Sequence, residues 1–513
     1  MIRSFRRIVS GLFAISIAAP ALAQNVGNEV WIGQLGSGNT LDVVQEGRAN
    51  SAGADNVYLL LGQWGVGNVL TLSQYGYANK VGTLFADEAA YARGIWQQGD
   101  INRLSINQHN TQDGGSNIVG AVQQLSVANI LEGSANELDV TQTEADGLDG
   151  TAGHFIGRIV QWNTIGTGGN NRAVIIQTKG GTGRGNTLAG LYQQGGENQF
   201  SLEQIGQSNL FGEASDRGGA WQYGSGNAAS VVQDGEFHRL EYIEQRGDNN
   251  AARLRLSGDG NAIAHVDQNS EGYGADGNKL EVAISGTANG SSGSGQVGEF
   301  LTLAALGQTG VLQGSLRQYG GANNVRLTIT AGVESKFGLS QTGDAHQAFI
   351  TIAHSVPQQQ AFGNESAVFQ TGSLNYARHD MLGDSNAGAI LESGKRNVVV
   401  LKQTGDGNIA SADVNGDDNN HDQSLFGAAL DIAGLVVGLQ PGTLSQTGAD
   451  NAAALVIGGS SNGFTTSQSG TSHLISATMI GSGNAVAVVQ QSSSNQSISV
   501  QTGSGNALGI SQF

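Results

Sequence analysis

A glutamine returns every eleven residues along much of this chain, and the return is still legible at its last residues. Gln446, Ile457, Gln468, Met479, Gln490, Gln501 and Gln512 keep one constant spacing. Five residues after the first six stand Asn451, Asn462, His473, Asn484, Asn495 and Asn506. A fixed short period means stacked units rather than a globular core. In such an architecture the faces and ends of the stack exist before any active site is added, so function is sought there first.

The full motif, Gln-x-Gly-x-x-Asn, begins at Gln34, Gln45, Gln63, Gln74, Gln97, Gln112, Gln193, Gln204, Gln222, Gln245, Gln318, Gln370, Gln403, Gln446 and Gln501. Between its Asn and the next Gln, the second and fourth residues are apolar: Leu41 and Val43 after Asn39, Leu70 and Leu72 after Asn68, Phe200 and Leu202 after Asn198. That alternation is the period of a strand with one buried face, which Asn, the apolar pair and Gln share. Asp42, Arg103, Glu137, Asp139, Lys279, Glu281 and Arg326 fall on the opposite, solvated face. The residues between Gln and Asn reverse the chain, with Gly supplying the positive φ a tight turn requires.

One strand and one turn make an eleven-residue half-repeat, and two close a coil of 22. The predicted fold is all-β: a β-solenoid of roughly 20 strand-turn-strand coils, about 100 Å long at strand spacing. Amides facing inward then lie above their own kind and can hydrogen-bond from layer to layer. The expected structural ladder comprises Gln34, Asn39, Gln45, Gln63, Asn68, Gln74, Gln97, Asn102, Gln193, Asn198, Gln204, Gln222, Asn227, Gln233, Gln370, Asn375, Gln403, Asn408, Gln446, Asn451, Gln490, Gln501, Asn506 and Gln512. Spacing breaks near 143–160, 285–315 and 420–445, read as loops or damaged coils within one array over 24–513. After Asn495 the apolar phase inverts, placing Ser497 and Ser499 inward and Ile498 and Val500 outward.

Composition agrees with strands. Gly 80 supplies turns, and Pro 3 leaves backbone donors free for long ladders. Cys 0 leaves rigidity to those ladders rather than to disulfides. Residues 1–23 read as a secretory signal peptide: Arg3, Arg6 and Arg7, an apolar run from Ile8 to Ala19, then Ala21-Leu22-Ala23. No later stretch is apolar enough for a transmembrane segment. The formal net charge of −18 becomes more negative once those arginines are removed, which argues against nucleic acid and anionic lipid as partners.

No catalytic, cofactor or metal site is expected, and the chain is not read as an enzyme. His238, His346 and His473 occupy Asn places and read as ladder substitutes rather than zinc ligands. Turn aspartates at Asp100, Asp248, Asp344, Asp384, Asp406, Asp417 and Asp450 lack the nine-residue calcium repeat and read as turn-formers. Arg246-Gly247-Asp248 falls inside an ordinary motif, where coincidence explains it. Trp31, Trp64, Trp96, Trp162 and Trp221 are placed at coil corners, with sugar stacking the lesser reading. Paired acids of a polysaccharide-cleaving β-helix cannot be assigned.

The extended pattern Gln-x-Gly-x-x-Asn-x-Ala-x-x-x-Gln, carried by Gln222 to Gln233 with Ala229 and by the unit from Gln446 with Ala453, resembles the curlin repeat. The resemblance covers most of residues 25–513. It implies a secreted β-solenoid subunit of a Gram-negative bacterium that polymerises end to end into adhesive, pilus-like curli amyloid fibres of the biofilm. It also implies an outer-membrane export channel and a nucleator subunit as partners. This chain has several times the usual number of repeats, and repeat character already begins at Asn28 to Gln34, where curlins carry a segment addressed to the channel. Neither end of the array reads as capped, which predicts head-to-tail growth by strand addition, the chain itself being the partner. The alternative is a monomeric extracellular β-solenoid adhesin or a glycan- or ice-binding protein. That reading calls for a regular outward array of one residue type, which the outward positions do not supply.

Overall fold

A computed structural model describes residues 27–53, 61–76, 78–82, 94–110, 117–126, 136–145, 153–163, 170–180, 183–212, 218–270, 276–290, 311–354, 356, 359–421 and 439–513. Among them the regular elements are β-strands, paired in parallel, and the fold is an all-β solenoid. The expected signal peptide and Gln112 lie outside the described residues. Contacts divide the chain into two compact units, one ending at Phe237 and the next beginning at His238, where the sequence reads as a single array.

Both units are built alike. Consecutive half-repeats enter two opposed sheets alternately, and each strand pairs with strands one coil before and after it. In the first unit, Gln199–Gln207 pairs with Arg172–Gly180 and Ala228–Glu236, setting Gln204 between Gln177 and Gln233. In the second, Glu365–Ser373 pairs with Lys336–Asp344 and Ala387–Lys395 in one sheet. Opposite it, Tyr376–Leu382 pairs with Gln347–Ala353 and Val398–Thr404. Register follows from the pattern: a one-residue slip would send every apolar side chain to water. Accordingly Phe200 and Leu202 are 2% and 1% exposed, while Gln199 and Ser201, which alternate with them, face solvent.

The turns stack as well. Gly394, at φ +114°, lies so close to the next layer that a Cβ there would overlap the carbonyl of Gly416, and Gly372 stands in the same relation to Gly394. Only glycine offers both the backbone angle and the clearance.

The period is not uniformly 22. Ladder partners lie 22 residues apart from Asn364 to Asn386 and Asn408, but other steps are longer. One cause is an extra residue within the strand, where the inward apolar positions step from Val119 to Val122 instead of by two. Pairing of Ile118–Leu125 with Phe155–Trp162 passes from Val119↔Ile156 to Ala121↔Arg158, omitting a pair, and the next two strands repeat the omission. Arg239–Arg246 and Ala262–Asn269 do the same in the second unit. An extra residue tolerated in one layer is copied into its neighbour because the stack transmits register.

Insertions account for the other long steps, and they are narrower than the sequence implies. Glu137–Ala145 and Phe155–Trp162 are strands, so half of 143–160 belongs to the stack. Lys279–Thr287 and Ser315–Tyr319 likewise enter 285–315, and Thr443–Ala449 closes 420–445. Across that last segment Asn408 and Asn451, 43 residues apart, are still bonded as neighbours, so the ladder resumes where it left off.

Candidate functional site

Interior amides form continuous chains. In one sheet of the first unit, each Gln Nε2 donates to the Oε1 of the next layer: Gln34 to Gln63 (2.6 Å), Gln63 to Gln97 (2.9 Å), Gln97 to Gln124 (2.8 Å), Gln124 to Gln161 (2.8 Å), Gln161 to Gln193 (2.9 Å) and Gln193 to Gln222 (2.8 Å). The second hydrogen of Gln193 reaches the Arg172 carbonyl in the opposite sheet at 3.1 Å, so the amide also ties the two sheets together.

The opposite sheet carries a second chain with a fault in it. Gln142, Gln177 and Gln204 donate forward, ending on Gln233, whereas Gln108 and Gln74 donate backward, ending on Gln45. Gln108 and Gln142 are register partners at the reversal, and the Oε1 of each lacks a partner. Two acceptors thus meet where one donor is needed.

Asparagine serves differently. Asn397 donates its backbone N–H to Asn375 Oδ1 (3.0 Å) and its Nδ2 to the carbonyl of Gly416 (2.7 Å), while its own Oδ1 accepts from the backbone N–H of Asn419 (3.2 Å). One side chain therefore joins three layers, needing donor and acceptor together. The same set recurs at Asn68, Asn198, Asn408 and Asn451.

In the second unit the glutamine chain changes sheets. Gln245, Gln268, Gln318, Gln341 and Gln370 link in sequence and end on Glu392, whose Oε2 accepts from Gln370 Nε2 at 2.6 Å. Beyond Glu392 the same column continues as Val414, Ile457 and Met479. The opposite column starts apolar, with Leu256, Ile284, Ile329, Ile352 and Met381, and becomes amide at Gln403, followed by Gln446, Gln468, Gln490 and Gln512. Gln501 is thereby removed from the expected ladder. Its layer neighbour is Met479, and its Oε1 has no partner.

The crossover needs special residues. Gln403, facing Met381, has no amide one layer back to donate to it, and His379 takes that part with Nε2 3.0 Å from Gln403 Oε1. His379 Nδ1 lies 2.8 Å from Ser366 Oγ, and the ring fills the space over Gly388, where a Cβ would overlap it. Burial holds His379 down to about 4. Glu392, fully enclosed, is pushed well above the usual carboxylate range by desolvation, with Gln370 only partly opposing; its Oε1 lacks a partner. Glu392 stands in the Gln place of a motif completed by Gly394 and Asn397, and His379 lies outside the motif; sequence reading passed over both. Gln124, Gln161, Gln177, Gln268 and Gln341 were also missed; Gln341 is followed by His346 in place of Asn, and a longer turn follows the others.

Outer faces carry aligned charges. Arg103 Nη1 meets Glu137 at 3.0 Å and Arg172 stands on its other side at 3.9 Å, an alternating column along the stack. Turn aspartates do cross-layer work too: Asp406 Oδ1 accepts from the backbone N–H of Asp384, and Asp384 Oδ1 from that of Phe362, both at 2.9 Å. Among the described residues no group of three His, Asp or Glu side chains could hold a metal ion. Arg246 of the Arg-Gly-Asp tripeptide is engaged by Glu244.

The tryptophans are not at coil corners. Trp64, Trp96, Trp162 and Trp221 lie within strands, and Trp31 lies between two, on the outer face. Trp64 and Trp96 stack with centroids 3.4 Å apart, Tyr192 and Trp221 at 5.0 Å, so ring faces a sugar would use cover one another.

The terminal layers differ from the interior. Gln34 is exposed and Asn39 half-buried, whereas their layer neighbours Gln63 and Asn68 are fully buried. Asn506 is exposed and Gln512 half-buried in the last layer, and Ile498 and Val500 are 72% and 69% exposed. Among the described residues Ile32–Ser37 pairs only with Leu61–Val66, and Ala507–Gln512 only with Ala485–Ser493. Comparison of the sequence with protein-family models and with curated proteins returns no match.

Proposed function

We propose that this chain is a secreted structural protein that self-assembles end to end into curli-like amyloid fibres, serving surface adhesion and the biofilm matrix. One observation carries the reading. Among the described residues the first and last layers repeat the strand, turn and amide pattern of the interior, and each pairs with one neighbouring layer. Half-paired strands are templates for further strands, and here the incoming layer that fits is another copy of the repeat. Asn484 Oδ1 accepts the backbone N–H of Asn506 at 3.1 Å; Asn506 is placed to do the same for the first layer of a second copy.

The likeness of the motif to curlin repeats supports the same reading and brings with it an export channel and a nucleator as partners. The test is assembly of the purified chain in native buffer. Thioflavin-positive fibres that seed fresh protein are expected; a monomer that persists at high concentration would favour a solitary adhesin and overturn the proposal.

A further inference from the structure

Histidines in asparagine places reproduce the asparagine bonds with different atoms. His154 donates its backbone N–H to Asn117 Oδ1 (3.0 Å), sets Nε2 3.0 Å from the Thr143 carbonyl, and accepts the backbone N–H of Asn186 at Nδ1 (3.1 Å). It belongs to the same class as His346, though the broken spacing before it hid this. His346 donates to Asn323 Oδ1 (3.0 Å), has Nε2 3.1 Å from the Thr342 carbonyl, and accepts from the backbone N–H of Asn375 at Nδ1 (3.4 Å). His238 and His473 accept at Nδ1 in the same way, from Asn261 and Asn495.

These partners fix the tautomer. Nε2 faces a carbonyl and must carry the hydrogen; Nδ1 faces an N–H and must be bare. Asparagine makes the same contacts with an amide that does not titrate.

We propose that His154 and His346 are acid-sensitive joints of the stack: protonating Nδ1 sets a donor against the next layer's backbone N–H and opens the coil at that level. The charged group facing His154 is Lys179, on the strand Arg172–Gly180, and it opposes protonation. His346 is faced by Asp344 of its own turn, which favours protonation, while burial opposes it more strongly. Both rings are wholly enclosed. Burial lowers His154 from 6.5 to about 4. The neutral ring therefore contributes stability that is complete above pH 6.5 and declines as the unfolded state gains its proton below that. Opening at this layer should rise about 100-fold between pH 7 and pH 4. The device needs only the stacked fold, so it stands or falls separately from fibre formation.

The experiment is hydrogen exchange of the full chain across pH 7 to 4, corrected for intrinsic rates and read at the amides of Asn186 and Asn375. Wild-type protein should lose protection there, with the layer around Asn408 as an unaffected reference. His154→Asn and His346→Asn, which restore the ladder's usual residue, should keep protection. Equal loss in the variants, or no loss in the wild type, overturns the proposal. Should either variant fail to fold, ¹⁵N NMR of histidine-labelled wild type decides. Bare Nδ1 with intact strands at pH 5.5 supports the joint, and protonated Nδ1 with intact strands refutes it.

Discussion

Replacing Glu392 by glutamine should stabilise the protein, and the gain should depend on pH in a defined sense. Glu392 occupies a glutamine place between Gln370 and Val414. Because burial raises its pKa, the folded state holds the carboxyl proton to higher pH than the unfolded chain, which ionises near 4.5. Above that pH the folded state binds the extra proton, so its stability falls by up to about 1.4 kcal/mol per pH unit until the folded pKa is reached. Below pH 4.5 both states are protonated and this penalty disappears. In Glu392→Gln the penalty is absent throughout. The new Nε2 can also reach the Tyr376 carbonyl, one layer beyond the Gln347 carbonyl that takes the Gln370 amide at 3.2 Å. A gain of about 1–3 kcal/mol is expected at pH 7, the scale of satisfying a buried polar group, and a smaller one at pH 4. Native-state hydrogen exchange over Ala387–Lys395 measures it at both. A variant less stable at pH 7, or one with the same gain at each pH, would refute the reasoning.

Three further substitutions probe the stack. Gly394→Ala forces a Cβ against the Gly416 carbonyl at a backbone angle that suits glycine, and should cost at least about 2 kcal/mol in local exchange stability. Gly388→Ala should cost about 1–3 kcal/mol by crowding His379, and His379→Ala should relieve most of it; a double-mutant cycle without coupling would deny their contact. Asn397→Ala removes bonds to Asn375, Gly416 and Asn419 and should cost about 2–3 kcal/mol, with protection lost at the Asn419 amide first.

Fold class was legible in the sequence because a repeated strand imposes its own register. Phe200 and Leu202 before Gln204 show both period and inward face in one line of text. The ladder was legible wherever a short turn kept Gln and Asn at fixed distance. It faded at Gln161 and Gln268, because a longer turn erases the spacing without disturbing the layer that bears the glutamine. The extra residue between Val119 and Val122 was hidden for a related reason: it shifts the text but not the stack. The crossover at His379 and Glu392 left only a trace in the sequence. It is a property of two columns compared across the core, and the sequence presents those columns interleaved. Ile457 and Met479 in the final eleven-residue series were its visible trace, since they mark the column that had already turned apolar.

Amides that point inward and continue from layer to layer are the feature on which this fold depends. An electron cryo-microscopy map of the assembled protein, resolving side chains, tests this most directly. Gln193 and Gln222 should stand inside one sheet and Gln204 and Gln233 inside the other, in parallel layers spaced about 4.8 Å along the fibre. Finding those four side chains on the exterior, or strands that do not stack in register, would contradict it.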